Sequence, residues 1–428
     1  KPLFRVLKKK NGKNLEKVLS ERVKVVAGDI TCENLGIKDS ELLHHMWKEV
    51  DIVINLAANT KFDERYDVSL GINTLGVKHV LSFSKKCNKL KTLVHVSTAY
   101  VCGEKGGLIL ENPLKLGETL NGTCGLDVYS EKKLVDQTLS NLKADDCSDD
   151  YVKTAMADLG IKRARKFGWP NTYVFTKAMG EMLIEELKEN LPIVILRPSI
   201  VTSTYKEPFP GWAEGIRTID SLAVGYAKGR ITCFLGDPKT ILDLIPADMV
   251  VNAMIVSMAA QANQESQTIY HVGSSVSNPL HYAMLQDFGQ TYFSSNPWID
   301  KQGRPVVVGP VKVLNSMESF HRYFSLQYLI PLKGLEIVNT ICCDYFHGMY
   351  IEMCRKTDFV LRLVELYRPY LFFKGCFDDM NTEKLRRAAG GNGSCVETDL
   401  FYFDPKVVDW EEYFLKIHLP GVVKYVFK

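Results

Sequence analysis

Between residues 20 and 100, short apolar runs alternate with segments of helical period: VKVVAGD, SELLHHMWKEV, DIVINLAA, VSLGINTLGVKHVLSFSKKC and KTLVHVSTAYV. Strand, helix, strand, helix, strand in that order reads as parallel βαβ units, since parallel neighbours need a crossover long enough to hold a helix. VKVVA, DIVINLA and LVHVS are nearly unbroken apolar runs, as strands covered on both faces require. The expectation is an α/β fold with a buried, doubly wound parallel sheet. A Gly-rich and then acidic excursion over about 103–168, containing KADDCSDDY, reads as an insertion. The pattern resumes with a helix around Tyr173, the strand LPIVILRPSIV, the short run RITCFLG and the strand QTIYHVGS. Past about residue 290 it fades into aromatic-rich helical segments, FVLRLVELYRPYLFFKGCFDD and WEEYFLKIHLPGVVKYVF. Two domains are expected, residues 1–290 around the sheet and a mostly helical 291–428. AAGGNGSC near residue 390 reads as a flexible loop.

Composition excludes several classes. Hydrophobic residues at 46% and charged residues at 24% describe a globular chain with a large core. A net charge of +3 is too small to imply nucleic acid as a partner. Eleven cysteines without metal-ligand spacing fit reduced thiols in a cytosolic compartment better than a disulfide framework. The longest apolar run, MVVNAMIVSMAA, falls short of the ~20 residues that a membrane-spanning helix needs. The opening KPLFRVLKKKNGKN has neither Met nor an apolar signal core, and reads as the middle of something longer.

The chemistry centres on a Tyr-x-x-x-Lys pattern that occurs three times, as Tyr129 with Lys133, Tyr173 with Lys177 and Tyr370 with Lys374. On a helix such a pair shares one face, with Cβ atoms ~5–6 Å apart. A lysine ammonium beside a phenol favours tyrosinate and makes the phenol a usable general acid. Context singles out Tyr173. Its helix leads into IVILRPSIV and lies downstream of HVSTAYV, whose Ser97 and Thr98 end an apolar strand where ligands of open α/β sheets bind. Tyr129 lies in the acidic excursion and Tyr370 in the aromatic C-terminal region. Ser97 and Thr98 face opposite sides of their strand, so only one can reach a substrate.

The strings GDI, INLAANT, GINTLGVKHVL, HVSTAYV, YVFTK and LRPSIV together resemble the extended short-chain dehydrogenase/reductase superfamily, with its Rossmann-like sheet. Within it, FDERYDVSLGINT, HVSTAYVCGEK, GWPNTYVFTKAMGE, EPFPGW, DLIPADMVVNAM, YHVGSS and VELYRPYLFFKGCFDD resemble the plant alcohol-forming fatty acyl-CoA reductases along essentially the whole chain. The resemblance implies Tyr173, Lys177 and Thr98 as catalytic residues, with Thr98 favoured over Ser97 by its position before Gly103. For the cofactor it implies Asp29 and Ile30 of GDI near the adenine, and Leu56, Ala57 and Ala58 leaving a strand with small side chains. Pro198 and Ser199 are implied beside the nicotinamide carboxamide, with Tyr173 and Lys177 at its ribose. The bland readings are a strand-end cap for Asp29, packing for Leu56 to Ala58 and a strand terminator for Pro198. Asn73 is read as structural. The cations of KRARKFGW are a solvated face or, more sharply, a contact for coenzyme A phosphates.

One departure stands out. Nothing like the family's Gly-rich phosphate turn precedes VKVVAGD, and the GGNG near residue 390 follows no strand. The expectation is therefore a missing first βα unit and, for residues 1–428 alone, aggregation and poor dinucleotide binding.

By resemblance the substrate is a long-chain fatty acyl-CoA, the hydride donor NADPH and the product a primary fatty alcohol, reached through an aldehyde with release of coenzyme A. Thr98 would hydrogen-bond the oxyanion and Tyr173 would protonate it, while Lys177 tunes Tyr173 and holds the ribose. No nucleic acid, no metal and no transmembrane span are expected, from the charge, the cysteine spacing and the apolar runs. The resemblance leaves room for peripheral membrane contact, and places the protein in the cytoplasm or on the cytosolic face of the endoplasmic reticulum, with relatives that supply wax and suberin alcohols. Two rivals are an extended short-chain dehydrogenase acting on another substrate and a truncated, inactive partner of an intact reductase.

Overall fold

The computed structural model describes residues 2–215, 218–231, 233–310, 312–389 and 400–426; the Gly-rich stretch read as a loop near residue 390 lies largely outside them. Four strands form the main sheet: β1 Ile52–Asn55, β2 Thr92–Val96, β3 Ile193–Pro198 and β4 Gln267–Val272. They lie side by side in that order and all run parallel. Val94 pairs with Ile54 on one side and Val194 on the other, which brings the carboxyl ends of β2 and β3 together.

The connecting helices are α1 Ser40–Glu49, α2 Gly76–Lys85, α3 Val128–Ala144, α4 Asp149–Lys166, α5 Thr172–Leu187 and α6 Ala247–Ala260. Their starts follow from local chemistry: the side chains of Asp39, Asp127, Ser148 and Asn171 each accept a backbone N–H of the following first turn. Residues 103–168 hold a short strand and the helices α3 and α4. This segment is tied to the body by Glu131, which accepts from the Tyr66 hydroxyl at 2.8 Å and is gripped by the Arg163 guanidinium.

Strand β3 is buried along its whole length. Ile193 and Ile195 pack with Val77, Val80 and Leu81 of α2, Ile184 of α5, Leu93 and Ile269. Helix α5 can settle there because Gly180 faces the Asn73 carbonyl of the wide helical turn Gly71–Leu75; a Cβ at Gly180 would lie 2.4 Å from that oxygen.

The expected first strand, VKVVAGD, forms no strand and has no ladder partner among the described residues, with Val23 and Val25 exposed. An apolar run becomes strand only beside a free ladder edge. Its end instead closes the loop Gly28–Gly36, with Asp29 N donating to Leu35 O at 2.7 Å. Gly36 sits at φ +68°, where a side chain would meet the Asp29 backbone.

The chain forms two compact units that are discontinuous in sequence. The first comprises residues 1–217, 243–279 and 375–428, and the second residues 218–242 and 280–374. The C-terminal region is mostly helical, but residues 375–428, read from the sequence together with 291–374, fold with the sheet. There Gly375–Phe377 pairs in parallel with Gly107–Ile109. The second unit holds the helices α7 Tyr282–Ser295, α8 Ile330–Ile341 and α9 His347–Leu371, and α10 Met380–Ala389 returns to the first. The run RITCFLG contributes Cys233–Leu235, which pairs with Lys312–Leu314 in the second unit and not with the main sheet.

Candidate active site

The carboxyl ends of β2 and β3 carry the site. Thr98 follows β2 and caps the short turn Ala99–Cys102, its hydroxyl accepting from Tyr100 N at 3.3 Å. The same hydroxyl reaches the Pro198 carbonyl at the end of β3, at 3.5 Å, and lies close enough to the Tyr173 phenol to pull its pKa down. Asn171 caps α5 and so fixes where Tyr173 enters the site, in the first turn. The Tyr173 ring stacks on Phe62, with centroids 6.1 Å apart. Thr98, Tyr173 and Pro198, chosen from separate stretches of sequence, thus meet. Ser97 is buried, and its hydroxyl finds no partner among the described residues.

The Lys177 ammonium donates to the Val96 carbonyl at 2.7 Å. Burial pushes the Tyr173 phenol up to about 12, with the Thr98 contact pulling the other way. The phenol is therefore held protonated through neutral pH, the form that donates a proton. Burial also lowers the Lys177 ammonium to about 8, against the opposing pull of Glu181.

Pro198 and Ser199 are buried, and Ser199 donates its backbone N–H to Val272 O at 3.0 Å. Leu56, Ala57 and Ala58 leave the end of β1 exposed to solvent. The loop after them is anchored by Asn73, whose amide donates to Asn59 O at 2.9 Å and to the Thr176 hydroxyl of α5 at 3.0 Å. Asp29 is exposed and its carboxylate accepts both the N–H and the hydroxyl of Thr31, which hold it below the usual carboxylate range. Ile30 packs into the core beside Gly76. Of the KRARKFGW cations, Arg163 is committed to Glu131. Tyr129 is exposed on α3 under the Lys78 ammonium, while Tyr370 is buried in the second unit and Lys374 lies beyond the end of α9. Neither shares the setting of Tyr173.

Sequence reasoning missed a buried polar layer beneath the site. Arg197 of β3 forks onto Glu181 of α5 through Nε at 3.1 Å and Nη2 at 2.5 Å. Nη2 also donates to Asn112 O at 2.9 Å, and Nη1 lies 3.4 Å from His271 Nε2. Beyond His271, Glu111 accepts the backbone N–H groups of His271 and Asn381. The available signal was a lone Arg inside the apolar run IVILRPSIV and a Glu inside AMGEMLI. Charges so placed are buried only when paired.

The donor set fits the nicotinamide half of a dinucleotide. An ammonium carries three donors, and that of Lys177 sits on the Val96 carbonyl where β2 ends, two residues before Thr98. Among the described residues no group of His, Cys, Asp and Glu is arranged to hold a metal ion.

Comparison with known proteins agrees. The NAD-binding model of the male sterility protein family matches residues 2–254, and the second male sterility protein model, Sterile, matches 327–428. An alcohol-forming fatty acyl-CoA reductase of Simmondsia chinensis is 57% identical over 428 residues, covering 100% of this chain and 86% of that protein. Fatty acyl-CoA reductase 1 of Arabidopsis thaliana is 50% identical over 429 residues, covering 100% of this chain and 87% of its own length. Among solved structures, the terminal reductase domain of the myxalamid biosynthetic pathway superposes with a TM-score of 0.54 at 16% identity, covering 96% of this chain and 79% of that one, a likeness of fold. A nicotinamide-dependent Rossmann-like oxidoreductase is what the sheet, the site and these relatives describe, and the chain belongs to the plant-type alcohol-forming fatty acyl-CoA reductases.

Proposed function

We propose that this protein takes a long-chain fatty acyl-CoA through the aldehyde to the primary alcohol, using NADPH and releasing coenzyme A. The observation that carries the reading is the convergence of Thr98, Tyr173 and Pro198 at the joined carboxyl ends of β2 and β3. The cofactor, when bound, supplies hydride. The residues of the chain supply the rest. Lys177, and the backbone around Pro198 and Ser199, would hold the nicotinamide nucleoside, with Leu56 to Ala58 along its path. The Thr98 hydroxyl donates a hydrogen bond to the substrate oxygen as it gains negative charge. Collapse of the tetrahedral thioester adduct expels coenzyme A thiolate and leaves an aldehyde. In the second reduction the Tyr173 phenol delivers its proton to the alkoxide, which its high pKa allows because an alkoxide is more basic still.

The substrate's long chain favours work at a membrane surface, and we place the protein at the cytosolic face of the endoplasmic reticulum. Among the described residues no helix is long and apolar enough to cross a membrane. The second unit nevertheless exposes Ile337, Ile341 and Tyr345 around the turn after α8.

The test follows both products. Full-length protein is incubated with acyl-CoA of graded chain length and either NADPH or NADH, with free thiol, aldehyde and alcohol measured together. Expected are one thiol and two oxidised cofactors per alcohol, with NADPH preferred. Aldehyde accumulating without alcohol, or no thiol release, overturns the reading.

A further inference from the structure

The buried layer beneath the site has a use that packing alone does not supply. Lys177 and Glu181 lie one helical turn apart on α5, and both are about 1% exposed, as Arg197 is about 3% exposed on the neighbouring strand. An ammonium in such surroundings sheds its proton unless an opposite charge sits close by. Groups facing the cluster from other elements are poor candidates. From β2, His95 is fully buried and kept neutral, and the Lys177 charge itself opposes its protonation. From β4, burial and Arg197 lower His271 to about 3, so it too is neutral. Burial raises the Cys102 thiol to about 12. Glu111 contacts the His271 and Asn381 backbones and is raised to about 7 by burial. Tyr173 stays a phenol. The Glu181 carboxyl remains: it lies one turn along the same helix face as Lys177 and is gripped by the Arg197 guanidinium through Nε and Nη2.

We propose that Glu181, clamped by Arg197, is a positioning residue for Lys177: its fixed negative charge keeps the buried ammonium protonated and seated on the Val96 carbonyl, ready for the ribose hydroxyls of the nicotinamide cofactor. This rests on the reading of Lys177 given under the proposed function. Glu181 touches neither substrate nor cofactor and acts through the lysine.

The test reads cofactor binding, so it stands apart from turnover. NADPH affinity of the full-length protein is followed by fluorescence across pH for wild type, Glu181→Gln, Lys177→Met and the double variant Glu181→Gln/Lys177→Met. In wild type the affinity weakens as pH rises through about 8. In Glu181→Gln that fall moves to lower pH by about 1 unit or more, the effect of a lost opposite charge at close range, and affinity returns on acidification. In Lys177→Met binding is weak and flat with pH, and adding Glu181→Gln changes nothing further. Circular dichroism checks each fold. If Glu181→Gln does not fold because it strands Arg197, Glu181→Gln/Arg197→Gln removes both charges, and the fall must still move to lower pH. A folded variant whose pH profile keeps the wild-type position overturns the proposal, as does an undiminished Glu181→Gln effect in the Lys177→Met background. Wild type that binds NADPH but never reduces acyl-CoA overturns the functional reading and leaves this one standing.

Discussion

Strands β1 and β3 are both short apolar runs in one parallel sheet, yet they live in different surroundings. In β3, Ile193 and Ile195 are 0% and 1% exposed; in β1, Ile52 and Ile54 are 38% and 41% exposed. The side chains are of the same type, so the difference comes from neighbours. Strand β3 has β2 and β4 on either side and helices on its faces, whereas β1 has only β2 beside it among the described residues. The residues of the candidate site and the buried layer beneath it collect where the sheet is closed in. Thr98, Tyr173, Lys177, Glu181 and Arg197 all hang on β2, β3 or α5, and each is held by hydrogen bonds or packing before any ligand arrives. The positions expected to meet the rest of the dinucleotide, Asp29 and Leu56 to Ala58, lie on the open side and are exposed. Rigidity is spent where a proton must be delivered with precision.

This contrast can be broken in order of expected effect. Tyr173→Phe removes one hydroxyl from the closed side and should cut alcohol formation by ~10²–10⁴-fold with the fold intact, measured as alcohol released per cofactor oxidised. Tyr129→Phe and Tyr370→Phe should stay near wild type; loss of activity in either, with Tyr173→Phe active, sinks the assignment. Next comes stability. Ile195→Ala should cost about 2–5 kcal/mol in urea unfolding, because the β3 core cannot collapse onto the gap. Ile54→Ala, on the open strand, should cost no more than about 1 kcal/mol. Equal costs would mean that β1 is covered in solution.

A smaller effect concerns pH. Burial raises Glu111 to about 7, from an ordinary value near 4.5. Between those values the folded chain holds a proton that the unfolded chain has lost, so stability falls as pH rises and the contribution is gone above about 7. Thermal unfolding should show this slope in wild type, and Glu111→Gln, which cannot titrate, should flatten it. An unchanged slope in the variant would remove Glu111 as its source. The smallest effect is at the edge. The protein should self-associate weakly through the open side of β1, and Ile52→Lys with Ile54→Lys should reduce that association in sedimentation.

Much of this was legible in the sequence. All four strands of the main sheet fall within runs that the alternation of strand and helix periods had marked, DIVINLAA, KTLVHVSTAYV, LPIVILRPSIV and QTIYHVGS. The convergence of Thr98 with Tyr173 was readable because strand ends and a helix start locate each hydroxyl. VKVVAGD failed as a strand since a run's composition does not say whether a ladder partner stands beside it. The Val96 carbonyl as a partner of Lys177 was not readable, for a related reason. Spacing puts it on the same face as Tyr173 and as Glu181, and only the packed layer decides which way a long flexible side chain turns. Arg197 and Glu181 escaped notice because their partner relation spans a helix and a strand.

The parallel pairing of Gly107–Ile109 with Gly375–Phe377 sets a timetable for the molecule's biosynthesis. The Thr382 hydroxyl donates to His271 O across 111 residues of chain, and Asn381 N donates to Glu111 across 270. A ribosome adding ~5–20 residues per second takes roughly 6–22 s to travel from His271 to Thr382. Through that interval the Glu111 carboxylate and the His271 backbone carbonyl, already made, have no α10 segment to bond. The nascent reductase domain is thus one whose sheet strands exist long before their last partners do, and the window is open to chaperones and to association with other unfinished chains.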